Sequence, residues 1–264
     1  MARKNSARRS AIFAGVELDP AWMLVLLGLA GALAAIINTM AGGGSLLVVP
    51  VLLGLGLPAS TANGTLRVGV LAQGITAVAT FHRKGVHEYG AFARLLLPTA
   101  AGAGAGSYAA TILPDDLLRS VFGFALIGWA ILLAVRPGGF STDASEPRPI
   151  GPAAWAGAFA IGIYGGFLQV GVGFPSLALL VVGLRYAPVN ANAIKILLVL
   201  ASTVVSLPIF AMAGQVAWEH AGVLALGSAI GGWLGTRWQL QAGAKIVRWV
   251  VVITVCVAGV AMLR

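Results

Sequence analysis

Residues 39–50 read TMAGGGSLLVVP and place three consecutive glycines inside a long apolar stretch. Glycine in a helix interior costs about 1 kcal/mol relative to alanine, so this run predicts an interruption of a helix. A second glycine-rich stretch, YGGFLQVGVGFPS, occupies residues 164–176. Each stretch is followed by a short apolar piece, a proline and a helix headed by an asparagine. The two interruptions are therefore interpreted as a pair.

The composition indicates a membrane protein. The 264 residues are 59% hydrophobic and only 9% charged, whereas soluble domains carry about 25% charged residues. A transmembrane helix needs roughly 20 mostly apolar residues. The sequence predicts an all-α polytopic membrane protein with eight clear transmembrane helices and two short broken or re-entrant segments. The predicted spans are 22–41, 61–81, 91–112, 118–135, 152–170, 191–212, 220–236 and 246–263, and the short segments are 45–57 and 175–184.

The charged residues lie mainly outside the apolar stretches. The net charge is +9, but the basic residues are scattered and are not interleaved with aromatics, which argues against nucleic-acid binding and suits membrane-flanking anchors. The first apolar piece ends at Val16, too early for a cleaved signal peptide, so residues 1–20 are predicted to form a cytoplasmic tail. The polar stretch 136–151 is predicted to link two transmembrane repeats, 21–135 and 152–264, of a multi-pass protein of the cell membrane (plasma or inner).

The two halves match at residue types that seldom match by chance. Seven pairs of glycine, proline, asparagine or arginine coincide, and internal duplication is the usual build of secondary transporters. A shift of 130 at the proline and of 129 beyond it implies that one residue is lost between Pro58 and Asn63. A shift of 129 pairs Asn63 with Asn192, Gly85 with Gly214, Gly102 with Gly231, Gly106 with Gly235 and Arg119 with Arg248, and a shift of 130 pairs Gly43 with Gly173 and Pro58 with Pro188.

The relative orientation of the halves depends on the number of crossings. Eight crossings would make the repeats parallel, and ten, counting the short segments, would make them inverted. The basic loop 82–88 has a counterpart that carries only Glu219, and the acidic loop at Asp115 has a basic counterpart. The positive-inside rule therefore favours inversion. The basic N-terminus favours the parallel arrangement, so the orientation is open, with inverted repeats the favoured alternative.

Two cations lie inside predicted spans. Arg67 follows Asn63 by four residues, and Lys195 follows Asn192 by three, in matched helices. A charge at the bilayer centre costs at least about 2.5 kcal/mol, so such residues usually face a cavity and mark a substrate path. The alternative is that each lies near enough to a helix end to snorkel. The two asparagines are candidates for helix caps, for substrate contacts, or for both.

The predicted spans contain no acidic residue, and this favours an anionic substrate. All eight carboxylates fall in loops or at span edges, whereas proton- or sodium-coupled pumps usually keep one in the membrane. A negative-inside potential assists an anion leaving the cell by ~2.3 kcal/mol per charge per 100 mV, so export would need no coupling ion. The sequence predicts no metal, no cofactor and no enzyme activity. The expected partners are a small anion, the lipid bilayer and, as an option, a second copy in a homodimer.

The glycine breaks complete the predicted site. Discontinuous helices free backbone N–H groups and point helix N-termini at anionic substrates. Close helix packing is the alternative role for glycine; it suits residues 102–106 and suits residues 42–44 poorly. The candidate substrate-binding residues are Arg67, Lys195, Asn63, Asn192, Thr65, Gly42, Gly43, Gly44, Asn38, Tyr164, Gln169, Gly171 and Gly173.

The stretches AGGGSLLVVPVLLGLGLPASTANGT, GIYGGFLQVGVGF and ANAIK resemble the TauE/SafE sulfite exporter family, also called the 4-toluene sulfonate uptake permease family. The resemblance covers about residues 22–263. It implies an integral membrane transporter of sulfite, organosulfonates or related anions, and the charge argument above predicts that it acts as an exporter. An anion channel, or an importer of a related small carboxylate or sulfur anion, is the alternative. Positions matching the family motifs are Gly42, Gly43, Gly44, Pro50, Asn63, Gly64, Thr65, Tyr164, Gly165, Gly166, Gly171 and Gly173.

Overall fold

The computed structural model describes residues 20–135 and 146–262, and the regular structure in these two segments is helical. Residues 1–19 of the predicted tail 1–20 and residues 136–145 of the predicted linker 136–151 lie outside the described residues. The helices are α1 (Pro20–Ala41), α2 (Ser45–Gly54), α3 (Ala59–Arg83), α4 (Tyr89–Ile112), α5 (Asp115–Val135), α6 (Pro152–Phe167), α7 (Gly173–Leu177) with a π-helical continuation (Ala178–Gly183), α8 (Pro188–Met212) and α9 (Trp218–Met262).

Several of the helices can cross a membrane by length and hydropathy. In the described part of the chain, Trp22–Ala41, Ala59–Arg83 and Pro188–Met212 satisfy both criteria, and they coincide with predicted spans. The two short apolar helical segments, Ser45–Gly54 and Gly173–Gly183, lie at the two predicted short segments. Large apolar side chains are exposed on the outside of the bundle, for example Leu97 at 78% and Phe124 at 76%, as expected for a surface that faces lipid.

The C-terminal region differs from the sequence prediction. Spans 220–236 and 246–263 were expected as separate helices, but α9 is one continuous helix of 45 residues. At 1.5 Å per residue it is about 68 Å long. The connecting stretch RWQLQAGAK contains no proline and consists mostly of good helix formers, so nothing in the local sequence stops the helix.

The internal repeat is visible in the backbone itself. Of the seven left-handed backbone conformations in the described residues, all but Gln169 fall in pairs 129 residues apart: Gly42 and Gly171, Gly56 and Arg185, Gly85 and Gly214. Helices α3 and α8 both contain 25 residues and begin 129 positions apart. The register is therefore 129 in this region as well. The predicted shift of 130 and the loss of one residue after Pro58 are wrong, because the residue equivalent to Pro58 at the helix start is Ala187 and not Pro188.

The close contacts define the directions in which the helices run. Gly64 on α3 lies beside Phe210 on α8, whereas Gly74 lies beside Leu200, so α3 and α8 are antiparallel. By the same test α1, α3 and α9 run in one direction. Gly28 and Ile36 on α1 contact Val223 and Gly235 on α9. Thr65 on α3 bonds Ala217, just before α9, and Thr76 bonds Ala229 on α9. Helices α4, α6 and α8 run in the other direction; the contacts are Thr99 with Gly162, Gly106 with Ile163, Gly104 with Val205 and Thr111 with Gln215.

Glycines allow the first helix of each half to pack closely on a helix of the other half. Cβ atoms on Gly102 or Gly106 of α4 would collide with the α6 backbone. Their repeat equivalents on α9, Gly231 and Gly235, do the same against α1. The packing role expected for the glycines of 102–106 is therefore confirmed for these two, whereas Gly104 only meets Val205 at 3.7 Å.

Candidate functional site

The two glycine breaks lie against each other inside the bundle. A Cβ atom on Gly42 would lie 2.6 Å from the Cα of Gly173, so this approach requires glycine. The Ser45 hydroxyl accepts a hydrogen bond from the Gly171 N–H at 3.1 Å and donates to the Gln169 carbonyl oxygen at 3.4 Å. Residues 42–45 and 169–173 thus form one contiguous region, here named the break junction.

Arg67 lies beside the break junction and is fully buried, at 0% exposure. Its guanidinium group packs over the Phe210 ring at 4.4 Å. Carbonyl groups in the last turn of a helix lack intrahelical partners and carry partial negative charge, so Arg67 caps the C-terminus of α6. Its two terminal nitrogens donate to the carbonyl oxygens of Gly165 (3.2 Å) and Gly166, to Gln169 Oε1 (3.1 Å) and to Asn63 Oδ1 (3.4 Å).

Lys195 caps the helix that ends at the other break. Its side chain is 2% exposed, and Nζ donates to the carbonyl oxygens of Asn38 at 2.9 Å and Thr39 at 3.3 Å. Both carbonyls belong to the last turn of α1. Each half therefore caps the broken helix of the other half with a cation from its own third helix.

The two matched asparagines also bond to the helix end of the other half. Asn63 Nδ2 donates to the Phe167 carbonyl oxygen at 2.7 Å, and Asn192 Nδ2 donates to the Thr39 carbonyl oxygen at 2.7 Å. Neither caps the helix that it heads, because those N-cap positions are Pro58 and Ala187 and have no side-chain cap. The prediction of N-caps is wrong, since both side chains turn inward to the helix ends of the other half.

A chain of amide and hydroxyl groups extends from the Lys195 side of the junction. Asn38 Nδ2 donates to Gln73 Oε1 at 3.1 Å, and Gln73 Nε2 donates to Thr39 Oγ1 at 3.2 Å. Gln73 was not among the predicted site residues because it lies six positions beyond Arg67, which places the two side chains about 120° apart around α3. The signal that could have found it is a lone amide side chain in an apolar span.

Two small cavities flank this chain of amides. The first is lined by Lys195, Asn38, Gln73 and Gly173 together with apolar side chains, and it has room for about one water molecule. The second shares Asn38 and Gln73 and adds Ser45. Neither cavity is lined by Arg67.

Two further predicted residues hold the surrounding chain in place. The Tyr164 hydroxyl donates to the Val170 carbonyl oxygen at 2.6 Å and accepts from Trp129 Nε1 at 2.7 Å, bracing the second break. Thr65 Oγ1 accepts from the Ala217 N–H at 2.9 Å, just before α9 begins. Trp129 was not predicted as a contributor, since a tryptophan in an apolar span carries no distinctive sequence signal.

The electrostatics of the site are positive. Every hydrogen-bond partner of Arg67 and Lys195 named above is a neutral carbonyl or amide oxygen, so neither charge is balanced by a carboxylate among those partners. Buried, uncompensated positive charge in a weakly screened environment attracts anions. The two cations have different hydrogen-bond partners and form separate clusters, and they share neither of the two cavities.

A bundle of apolar helices with two interrupted helices and buried cations at the interruptions is the architecture of a membrane transporter. The family model "Sulfite exporter TauE/SafE" matches residues 27–262. The chain belongs to this family, and it is a multi-pass membrane protein.

Curated relatives support the same class. A probable membrane transporter protein from Sinorhizobium sp, ORF9, is 28% identical over 233 residues, covering 88% of each chain. The probable membrane transporter protein YfcA of Escherichia coli K12 is 27% identical over 244 residues, covering 91% of this chain and 90% of its own. A probable membrane transporter protein from Haemophilus influenzae is 25% identical over 235 residues, covering 88% of this chain and 91% of its own. No solved structure matches the chain.

Proposed function

We propose that this protein exports small sulfur-containing oxyanions, such as sulfite or organosulfonates, across the membrane. The observation that carries the proposal is the pair of buried cations at the break junction, each held only by the neutral oxygens described above. The family description names sulfite export. The membrane potential favours the outward direction for an anion. The family assignment also supports transport over catalysis, and the substrate path is proposed to need neither metal nor cofactor.

We further propose that the repeats, 21–135 and 152–264, are inverted relative to each other and joined by the linker 136–151. The antiparallel course of α3 and its equivalent α8 supports inversion. It requires an odd number of crossings in the first half, so α2 would count as a short crossing beside α1, α3, α4 and α5, and the α7 segment would be its equivalent in the second half. Inverted repeats allow one half to rock against the other around a central site, as alternating access requires.

The test is flux in proteoliposomes loaded with radiolabelled sulfite, with taurine and ethanesulfonate as competing organosulfonates. The wild-type protein is expected to move sulfite, and Arg67→Ala and Lys195→Ala are each expected to reduce the flux strongly. Arg94→Ala removes an exposed cation and serves as the matched control. Unchanged flux in both buried-cation variants would contradict the site, and absence of sulfite or sulfonate flux in the wild type would contradict the substrate class.

An anion channel, or an importer of a related small carboxylate or sulfur anion, remains the second candidate. Counter-transport separates a carrier from a channel. Unlabelled sulfite on the opposite face accelerates a carrier, because the loaded site returns faster than the empty one, and it leaves a channel unaffected. Cross-linking in native membranes tests the homodimer, which stays a prediction.

A further inference from the structure

The two cation clusters differ in the number of N–H donors that have no acceptor in the protein. A guanidinium group carries five N–H donors, and the two terminal nitrogens of Arg67 hold four of them. Four oxygen acceptors surround those nitrogens, and the ring of Phe210 covers one face of the group. Among the five N–H donors of Arg67, the buried Nε–H is the one without a partner. The two terminal nitrogens of Arg67 are therefore saturated by the protein, and the guanidinium group lines neither cavity.

Lys195 and its neighbours are not saturated. An ammonium group has three donors, of which Lys195 uses two in the contacts given. The side-chain amides of Asn38 and Gln73 have two donors each, and each has one described contact. One N–H therefore remains on each of these three residues, and all three line the first cavity.

We propose that this cavity, lined by Lys195, Asn38 and Gln73, binds the three-oxygen sulfur head group shared by sulfite and organosulfonates, and that Arg67 is a positioning residue. Three N–H donors match three anionic oxygens. The positive charge of Lys195 attracts the anion, and the two neutral amides orient it by donating hydrogen bonds to its oxygens. This inference rests on the proposed function and narrows it to one of the two cation clusters.

The position of the cavity links binding to movement. Gly173 of the second break forms part of its wall, and the Asn38 carbonyl in the last turn of α1 holds Lys195. A head group is larger than the single water that fits now, so the anion must draw the ammonium group away from the end of α1 or part the two breaks. The first change breaks a bond between the halves, and the second opens the contact between Gly42 and Gly173. Substrate binding is thereby coupled to the break junction.

The role of Arg67 follows from the same geometry. By holding the last carbonyls of α6 and Gln169, it fixes the backbone that leads into Gly171 and Gly173. It acts on the anion through the wall of the cavity and does not contact it. Arg67→Lys keeps the charge but replaces a planar fork with three donors on a single nitrogen, so the end of α6 loses part of its support.

The experiment measures KM and maximal rate for sulfite in proteoliposomes made from the full chain. Gln73→Leu removes one donor to a charged ligand and is expected to raise KM by about tenfold or more, with the maximal rate within about threefold of wild type. Gln73→Glu keeps the shape and the acceptor for Asn38 but adds a negative charge, and it is expected to abolish saturable sulfite uptake. Gln241→Glu makes the same change at an exposed position and is the matched control.

Arg67→Lys is expected to give the opposite pattern, a lower maximal rate with KM within about twofold of wild type. A wild-type KM in Gln73→Leu or saturable uptake in Gln73→Glu overturns the assignment, as does a large rise of KM in Arg67→Lys. A structure of the wild-type protein with sulfite decides the matter if the Gln73 variants do not fold. An anion against Lys195 and Gln73 supports the inference, and an anion elsewhere overturns it. If the wild-type protein moves neither sulfite nor sulfonates, that result contradicts the proposed function itself.

Discussion

The contact between the two breaks can be tested by adding one methyl group. Gly42 has φ +90°, and a Cβ atom there would lie 2.6 Å from the Cα of Gly173 and 2.8 Å from its carbonyl carbon. Gly85 has φ +71°, and a Cβ atom there would meet no heavy atom within 4 Å. Gly42→Ala therefore combines backbone strain with a steric clash, whereas Gly85→Ala introduces backbone strain alone.

The expected loss of stability differs between the two variants. Forcing an L-residue into the left-handed region costs about 1–2 kcal/mol, and this applies to both positions. Overpacking a closely packed site adds about 1–3 kcal/mol, and this applies only at Gly42. Gly85→Ala is thus expected to lose about 1–2 kcal/mol and Gly42→Ala about 2–5 kcal/mol. Each kcal/mol lowers the unfolding midpoint by about 2–4 °C for a protein of roughly this size.

The assay is thermal unfolding of both purified variants in the same detergent, followed by tryptophan fluorescence. Sulfite flux is measured on the same preparations, and only Gly42→Ala is expected to reduce it beyond the effect on stability. Equal midpoints for the two variants would refute the reasoning, because they would mean that Gly42 and Gly173 do not approach as described.

Three further outcomes are expected. The carboxylate of Asp115 accepts hydrogen bonds from the backbone N–H groups of Ala59 and Ser60. Partial burial raises the pKa of Asp115, but these bonds and nearby Arg119 outweigh it and hold the pKa below its usual value. Asp115→Asn should thus lower the free energy of unfolding by about 1 kcal/mol near neutral pH. This difference from wild type should shrink as the pH falls from about 4 through the lowered pKa, and unfolding midpoints measured over a series of acid pH values will show it. Tyr164→Phe removes both bonds that brace the second break and should lower the unfolding midpoint and sulfite flux together, whereas a fully active variant would argue against bracing. Thr65→Val leaves a backbone N–H without its acceptor and should cost about 1–3 kcal/mol in the same unfolding assay, with KM for sulfite unchanged.

The sequence was sufficient to locate the interruptions of the helices and most of the repeat. Glycine runs and prolines act locally, so the breaks near residues 42 and 171 and the starts of α3 and α8 follow from residue type alone. The register at Pro58 differs from the predicted one because the equivalent positions share a backbone conformation and not a residue type. Ala187 adopts nearly the same N-cap conformation as Pro58 without sharing its side chain.

The partners of the cations could not be predicted from the sequence. A buried Arg or Lys in an apolar span needs oxygen acceptors, and the sequence does not say whether a substrate or a helix end supplies them. Arg67 and Lys195 find theirs 98 and 157 residues away, at helix ends of the other half. The length of α9 was missed for a related reason, because hydropathy divides a stretch into spans at its polar residues, whereas the backbone continues through them.

The exchange of caps explains why the chain tolerates broken helices at all. The end of a helix inside an apolar bundle leaves carbonyl groups that no water can satisfy, and each such group costs several kcal/mol in hydrocarbon. Neither half caps its own break with its buried cation; α1 is capped by Lys195 and Asn192, and α6 by Arg67 and Asn63. The breaks are therefore stable only where the two halves meet. Any movement of one half against the other must release or replace these bonds, so an anion that competes for Lys195 acts at the contact that holds the halves together.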